Sequence, residues 1–167
     1  MDKEKPLVSI VIPAYNHGQY LDEAIQSVLS QDYQHIELIV INDGSTDSTV
    51  EILERYRGSF YVETQPNSGQ ARTLNRGWTM SRGEILAYLS ADDFLLPRAV
   101  SAAVDYLQTH PDVVLTYSDF YLVDPSSAVI RSVQTPNYNY KEMVTRLICP
   151  PGPGAFFRRN AFLAAGL

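Results

Sequence analysis

The run LVSIVI (7–12) is apolar at every position but one, with no alternation that would leave a face for water. A strand of that kind is stable only when both faces of its sheet are covered, as in parallel sheets flanked by helices. Three further runs repeat the message: IELIVI (36–41), FYVET (60–64) and EILAYLS (84–90). Stretches of helical periodicity lie between them. QYLDEAIQSVLSQ (19–31) sets Leu21, Ala24, Ile25, Val28 and Leu29 on one face, and STVEILERYR (48–57) does so with Val50, Leu53 and Tyr56. Helices are also expected over 70–80 and 98–110, the second opened by Pro97 in its first turn. Strand and helix alternating in this way predict an α/β fold, a doubly wound, mostly parallel sheet with helices on both faces. With 167 residues, 45% of them hydrophobic, the chain can build the core of one domain, 1–167.

Beyond residue 110 the rhythm loosens. DVVLTYSDFYLV (112–123) reads as two strands with a bend, DPSS (124–127) as a turn, and GAFFRRNAFLAAGL (154–167) as a short strand entering a helix. CPPGPG (149–154) excludes helix. A net charge of −6 argues against nucleic acid as the main partner, since a phosphate backbone calls for clustered Lys and Arg. The single cysteine, Cys149, excludes an intrachain disulfide and fits a reducing compartment. No stretch approaches the roughly 20 apolar residues of a membrane span, and the first apolar run is too short for a secretory leader. The expected location is the cytoplasm, with the inner face of a membrane as an alternative.

In open α/β sheets ligands sit beyond the carboxyl ends of the strands. Those ends here hold PAYNHG, NDGSTDS, QPNSGQ and ADD, all polar or marked by Gly or Pro. The adjacent Asp92 and Asp93 after the fourth strand repel each other; as hard oxygen ligands they suit Mg²⁺ or Mn²⁺, which would in turn neutralise phosphates. A solvated turn with one Asp capping the next helix is the plainer alternative. Asp43 closes the second strand, where it could accept a hydrogen bond from a base or ribose; strand–turn–helix grammar, with Gly44 turning and Ser45 or Thr46 capping, explains it as well. Asp47 is expected to favour a helix N-terminus rather than touch a ligand. Pro13 is expected where strand pairing ends, with Tyr15 at the mouth able to lay its ring on a planar base. His17 reads as a surface loop residue. Gly69 precedes a helix whose N–H groups could meet ribose or phosphate. Arg72 and Asn75 share a face of that helix, and Trp78 reads as packing.

Together, VSIVIPAYN, IELIVINDGSTDST, NSGQARTLNRGW and SRGEILAYLSADD resemble, in order and spacing, the inverting family 2 glycosyltransferases, whose GT-A fold is Rossmann-like. The likeness runs from about Val8 to Pro97 and more loosely to Phe157. It implies a nucleotide-sugar donor carrying UDP, GDP or dTDP, and an acceptor glycan, lipid-linked saccharide or other hydroxyl. By this resemblance Pro13, Ala14, Tyr15 and Asn16 line the base pocket, Asp43 bonds the base, and Gly69 and Asn75 border the nucleotide. Asp92 faces ribose or metal and Asp93 binds the metal, Mg²⁺ or Mn²⁺.

Two departures stand out. Ser90 occupies a position, two before Asp92, where the family often has an acid. An inverting transferase also needs a general base at the acceptor hydroxyl. In the family this base follows the segment resembling GAFFRRNAFLAAGL, whereas here no Asp or Glu follows Glu142, so the base is expected beyond Leu167 and the chain is expected to bind donor only. A nucleotidyltransferase would place a Gly-rich, cationic loop after the first strand, where this chain has PAYNHGQY. A non-catalytic nucleotide-sugar-binding or scaffolding module on the same fold is the alternative from a different class.

Overall fold

A computed structural model describes residues 5–146 and 154–166; the reading of Cys149 and most of CPPGPG lies outside them. In chain order the elements are β1 (Val8–Ala14), α1 (Gly18–Leu29), β2 (Ile36–Asn42), α2 (Thr49–Glu54), β3 (Tyr61–Thr64), α3 (Gln70–Met80) and β4 (Ile85–Tyr88). There follow α4 (Ala99–Thr109), β5 (Leu115–Thr116), β6 (Phe120–Val123), β7 (Val129–Val133), α5 (Tyr140–Arg146), β8 (Phe156–Arg158) and α6 (Arg159–Ala165). The main sheet has the order β3-β2-β1-β4-β8-β5, and β6 and β7 form a separate hairpin. The first four strands are parallel, while β8 lies antiparallel between β4 and β5. The doubly wound expectation therefore holds, with one reversed strand.

β1 shows why its sequence carries no alternation. Val8, Ile10, Ile12 and Ala14 join the cluster built with α1, α2 and α4, whereas Val11 points to the opposite face with Ile39, Ile41 and Leu74. α3 reaches that second face closely, because a Cβ on Gly77 would come within 2.5 Å of Val11 Cγ1. Two inward assignments are corrected: Leu29 and Val50 are exposed. In α1 the buried stripe is Leu21, Ala24, Ile25 and Val28, and the helical twist carries Leu29 past its edge. In α2 the buried residues are Thr49, Ile52 and Leu53, so Val50 faces out.

Boundaries shift for identifiable reasons. Pro97 is not in the first turn of α4, because Arg98 takes a left-handed φ of 69° and the helix begins at Ala99. Its opening N–H groups are served from elsewhere: Val100 N donates to Oε1 of buried Gln31, whose Nε2 donates to Leu96 O. The segment 112–123 does break into two strands, but they enter different sheets. After the turn at 124–127, β7 returns along β6, and Ser127 Oγ donates to Glu23 Oε2 of α1 at 2.7 Å.

Candidate functional site

In the order β3-β2-β1-β4 the chain leaves β1 toward β2 on one side and meets β4 on the other, so a crevice opens between the ends of β1 and β4. Backbone bonds show how. Leu89 N donates to Val11 O on the β4 side, and Asp43 N donates to Ala14 O on the β2 side. Pro13 follows the phase of Val11 and would aim its missing N–H toward β4, whose pairing stops at Val11–Tyr88. Pairing with β2 continues to Ala14–Asn42, so Pro13 ends pairing on one side only.

Pro13 and Ala14 are themselves buried, Ala14 completely. Their side chains are covered within the chain, and Tyr15, 47% exposed, is the first of the segment to reach solvent. Asn16 adopts a φ of 54° and is tied down, its N–H donating to Ser45 Oγ and its Oδ1 accepting from Thr46 N. It braces the 42–49 loop. The cap expected of Ser45 or Thr46 is not made; Asp47 instead accepts from Gly18 N at the start of α1 and from Thr49 N at the start of α2.

Asp43 is 2% exposed, and its carboxylate is spoken for. Oδ1 accepts from Gln65 Nε2 at 2.7 Å and from the N–H and hydroxyl of Ser68, and Oδ2 accepts from Gly69 N at 2.8 Å. Burial alone would push this carboxyl up; the bonds from Gln65, Ser68 and Gly69 outweigh it and hold Asp43 below the usual range. Both carboxylate oxygens thus accept hydrogen bonds from the 65–69 loop. Gly44 is required here, since its φ is 75° and a Cβ would lie 2.8 Å from Asn67 N. Gly69, the N-cap of α3 with φ 87°, has no neighbour within 4 Å of such a Cβ. Asn75 lies half-buried on α3, and Arg72 is exposed. Trp78 packs edge-on against Tyr88, Phe157 and Phe162, as a packing residue should.

At the end of β4, Asp92 is exposed and Asp93 half-buried. Burial first, and then the charge of Asp92, push the Asp93 carboxyl up; a hydrogen bond from the Ser90 side chain offsets part of this. Ser90 thereby serves Asp93 as a donor in the position where an acid was the family expectation. Across the crevice His17 Nε2 stands 3.7 Å from Asp92 Oδ2. A lone loop histidine carried no signal in the sequence; only the pairing of β1 with β4 sets it opposite the acidic pair. Gln65 was likewise invisible, although its Nε2 also reaches Ser68 Oγ and Thr73 Oγ1.

Among the described residues no three His, Cys, Asp or Glu side chains gather as a metal cage. Two adjacent carboxylates, one resisting ionisation through its burial and then through the charge of the other, nonetheless fit a hard cation that keeps its remaining positions for water and phosphate oxygens. Beyond Asp93 a cavity of about 1000 Å³ extends under α4, β5 and the β6–β7 hairpin.

The fold is an open, mostly parallel α/β sheet, of the kind whose ligands sit beyond the carboxyl ends of the strands. The chain belongs to glycosyl transferase family 2, which matches residues 9–163. It is 37% identical over 139 residues to an uncharacterized glycosyltransferase of Rickettsia typhi, covering 82% of this chain and 43% of that protein. Among solved structures it resembles the mannosyltransferase of Pyrobaculum calidifontis in complex with GDP-Man and Mn²⁺, with a TM-score of 0.72 at 20% identity over 98% of this chain and 48% of the other. S. aureus TarS in complex with UDP-GlcNAc gives a TM-score of 0.72 at 21% identity, over 95% and 47%. These likenesses show the GT-A fold. The chain spans about half the length of the relatives it matches. No helix among the described residues is long and apolar enough to cross a membrane.

Proposed function

We propose that this domain binds a nucleotide-diphospho-sugar between β1 and β4 and that its protein transfers the sugar, with inversion, to a hydroxyl of an acceptor. The observation that carries the reading is the Asp92–Asp93 pair at the β4 end, Asp92 exposed and Asp93 half-buried, two like charges on the sheet's switch point. Asp93 and Asp92 would hold Mn²⁺ or Mg²⁺, which would supply charge stabilisation for the leaving nucleotide. The GDP-Man with Mn²⁺ and the UDP-GlcNAc named for the two structural relatives support that ligand class. Tyr15 lays its exposed ring against the base, and the Gly69 segment borders the nucleotide. Asp43 acts at one remove, by fixing Gly69. His17 faces Asp92 and helps orient it.

The test is thermal stability with UDP, GDP and dTDP, each with and without Mn²⁺. One nucleotide should raise the melting temperature only when the metal is present, following mass action, and Asp93→Ala should erase the effect. Metal-independent stabilisation that survives Asp93→Ala would refute the assignment.

A further inference from the structure

Asp92 and Asp93 stand between elements, after β4 ends at Tyr88 and before α4 begins at Ala99. Two like charges on such a stretch tend to splay it, so their placement depends on what holds the chain to either side. Before the pair, Leu89 N donates to Val11 O, and Ala91 is buried. Across the pair, Asp93 N donates to Ser90 O and closes a turn. After the pair the hold comes from α1. Leu95 N donates to Ser27 Oγ at 3.0 Å, reaching 68 residues back along the chain. The same hydroxyl donates to Ala24 O at 2.7 Å, which fixes where its oxygen points. Gln31, buried just beyond the end of α1, commits its whole amide to the joint. Its Nε2 donates to Ser27 O and Leu96 O, each at 3.0 Å, and its Oε1 accepts from Val100 N.

The same joint holds a strained residue. Arg98 keeps a left-handed φ of 69°, a conformation that a residue with a side chain retains only where its surroundings fix it. Gln31 bonds the backbone on both sides of it, at Leu96 and Val100. At its other end α1 starts directly after His17, which stands across from Asp92. One helix therefore links the β1 loop to the segment that carries the acidic pair.

We infer that Ser27 and Gln31 are positioning residues for the metal. By fixing the chain from Leu95 to Val100 they set the placement of Asp93, and with it the affinity for a divalent cation. The inference rests on the donor reading, which supplies the cation. Both side chains act through the loop. A ligand already held in place spares the cation the cost of ordering it, and groups that orient a ligand in this way govern affinity by tenfold or more.

Electron paramagnetic resonance of free Mn²⁺ tests this on the whole chain, well below its melting temperature, with Mn²⁺ alone as the probe. Wild type should show a Mn²⁺ site that Asp93→Ala removes. Ser27→Ala should weaken that site about tenfold, and Ser27→Thr, which keeps the hydroxyl, should restore it to within about twofold. Gln31→Glu keeps the Oε1 acceptor for Val100 N but loses the donor to Leu96 O, and should weaken the site similarly. If that variant does not fold, the two Ser27 variants decide. Tyr56→Phe is the control. It strips two hydrogen bonds from the same helix, those with Asp22 and Gln26, and none from the rim loop. Its melting temperature should fall while its Mn²⁺ affinity stays at the wild-type value. A purely structural role would make Ser27→Ala behave in that same way, and this result overturns the inference. Equal loss of Mn²⁺ affinity in Tyr56→Phe overturns it too. A wild-type chain with no Asp93-dependent Mn²⁺ site sinks the donor reading and this inference with it. Such a site, present but indifferent to Ser27 and Gln31, sinks this inference alone.

Discussion

Asp43 shows how much one side chain can organise. Its buried carboxylate closes four hydrogen bonds onto Gln65, Ser68 and Gly69, joining the β2 end to the loop that starts α3. Asp43→Ala leaves those donors facing a gap, so stability should fall by about 1–3 kcal/mol in urea denaturation. Because the folded carboxyl is held below its ordinary range, its contribution is present above the unfolded value of about 4 and is lost as pH falls through the lower folded value. The acid limb of the wild-type stability curve should therefore flatten in Asp43→Ala. The sequence marked Asp43 as important but did not show its bonds to the 65–69 loop. A carboxylate after a strand looks the same whether it faces a ligand or the next loop, and only the course of 65–69 decides between them.

At the scale of elements, β1, β2 and α1 stand nearly where their patterns place them, since apolar run and periodicity are local properties. Gly77 is different. It sits on α3 as an ordinary helical glycine until β1 is packed beneath it, with Val11 Cγ1 2.5 Å from where a Cβ would be. Gly77→Ala should destabilise by about 1–3 kcal/mol through overpacking, despite alanine's better helix propensity, and the urea midpoint measures it. The start of α4 makes the same point. Arg98 gives no side-chain cap, and Gln31, far away in sequence, supplies the acceptor instead. β7 and α5 went unassigned because their residues are largely exposed and carry no repeating apolar pattern.

For the whole molecule, the acidic rim sets function against stability. Asp93 has its carboxyl pushed up by burial and by Asp92, so the folded state holds that proton more tightly than the unfolded chain. Stability should then decline as pH rises from about 4 through the raised folded value. Asp93→Asn should remove that decline and raise the metal-free melting temperature at neutral pH, while abolishing the Mn²⁺-dependent nucleotide shift. A melting temperature at or below wild type without metal would contradict the strain assigned to this pair.

The sequence by itself determined the alternation of strands and helices, the crowding of polar residues at one sheet edge and the family, because each is written in local pattern or collinear motif. The tertiary structure alone decided that β8 inserts antiparallel beside β4, that His17 stands opposite Asp92, and that a cavity free of cationic side chains among its described lining opens beyond Asp93. Those facts depend on which distant segments become neighbours. That choice is made by the packing of the whole sheet, which no short stretch of residues encodes.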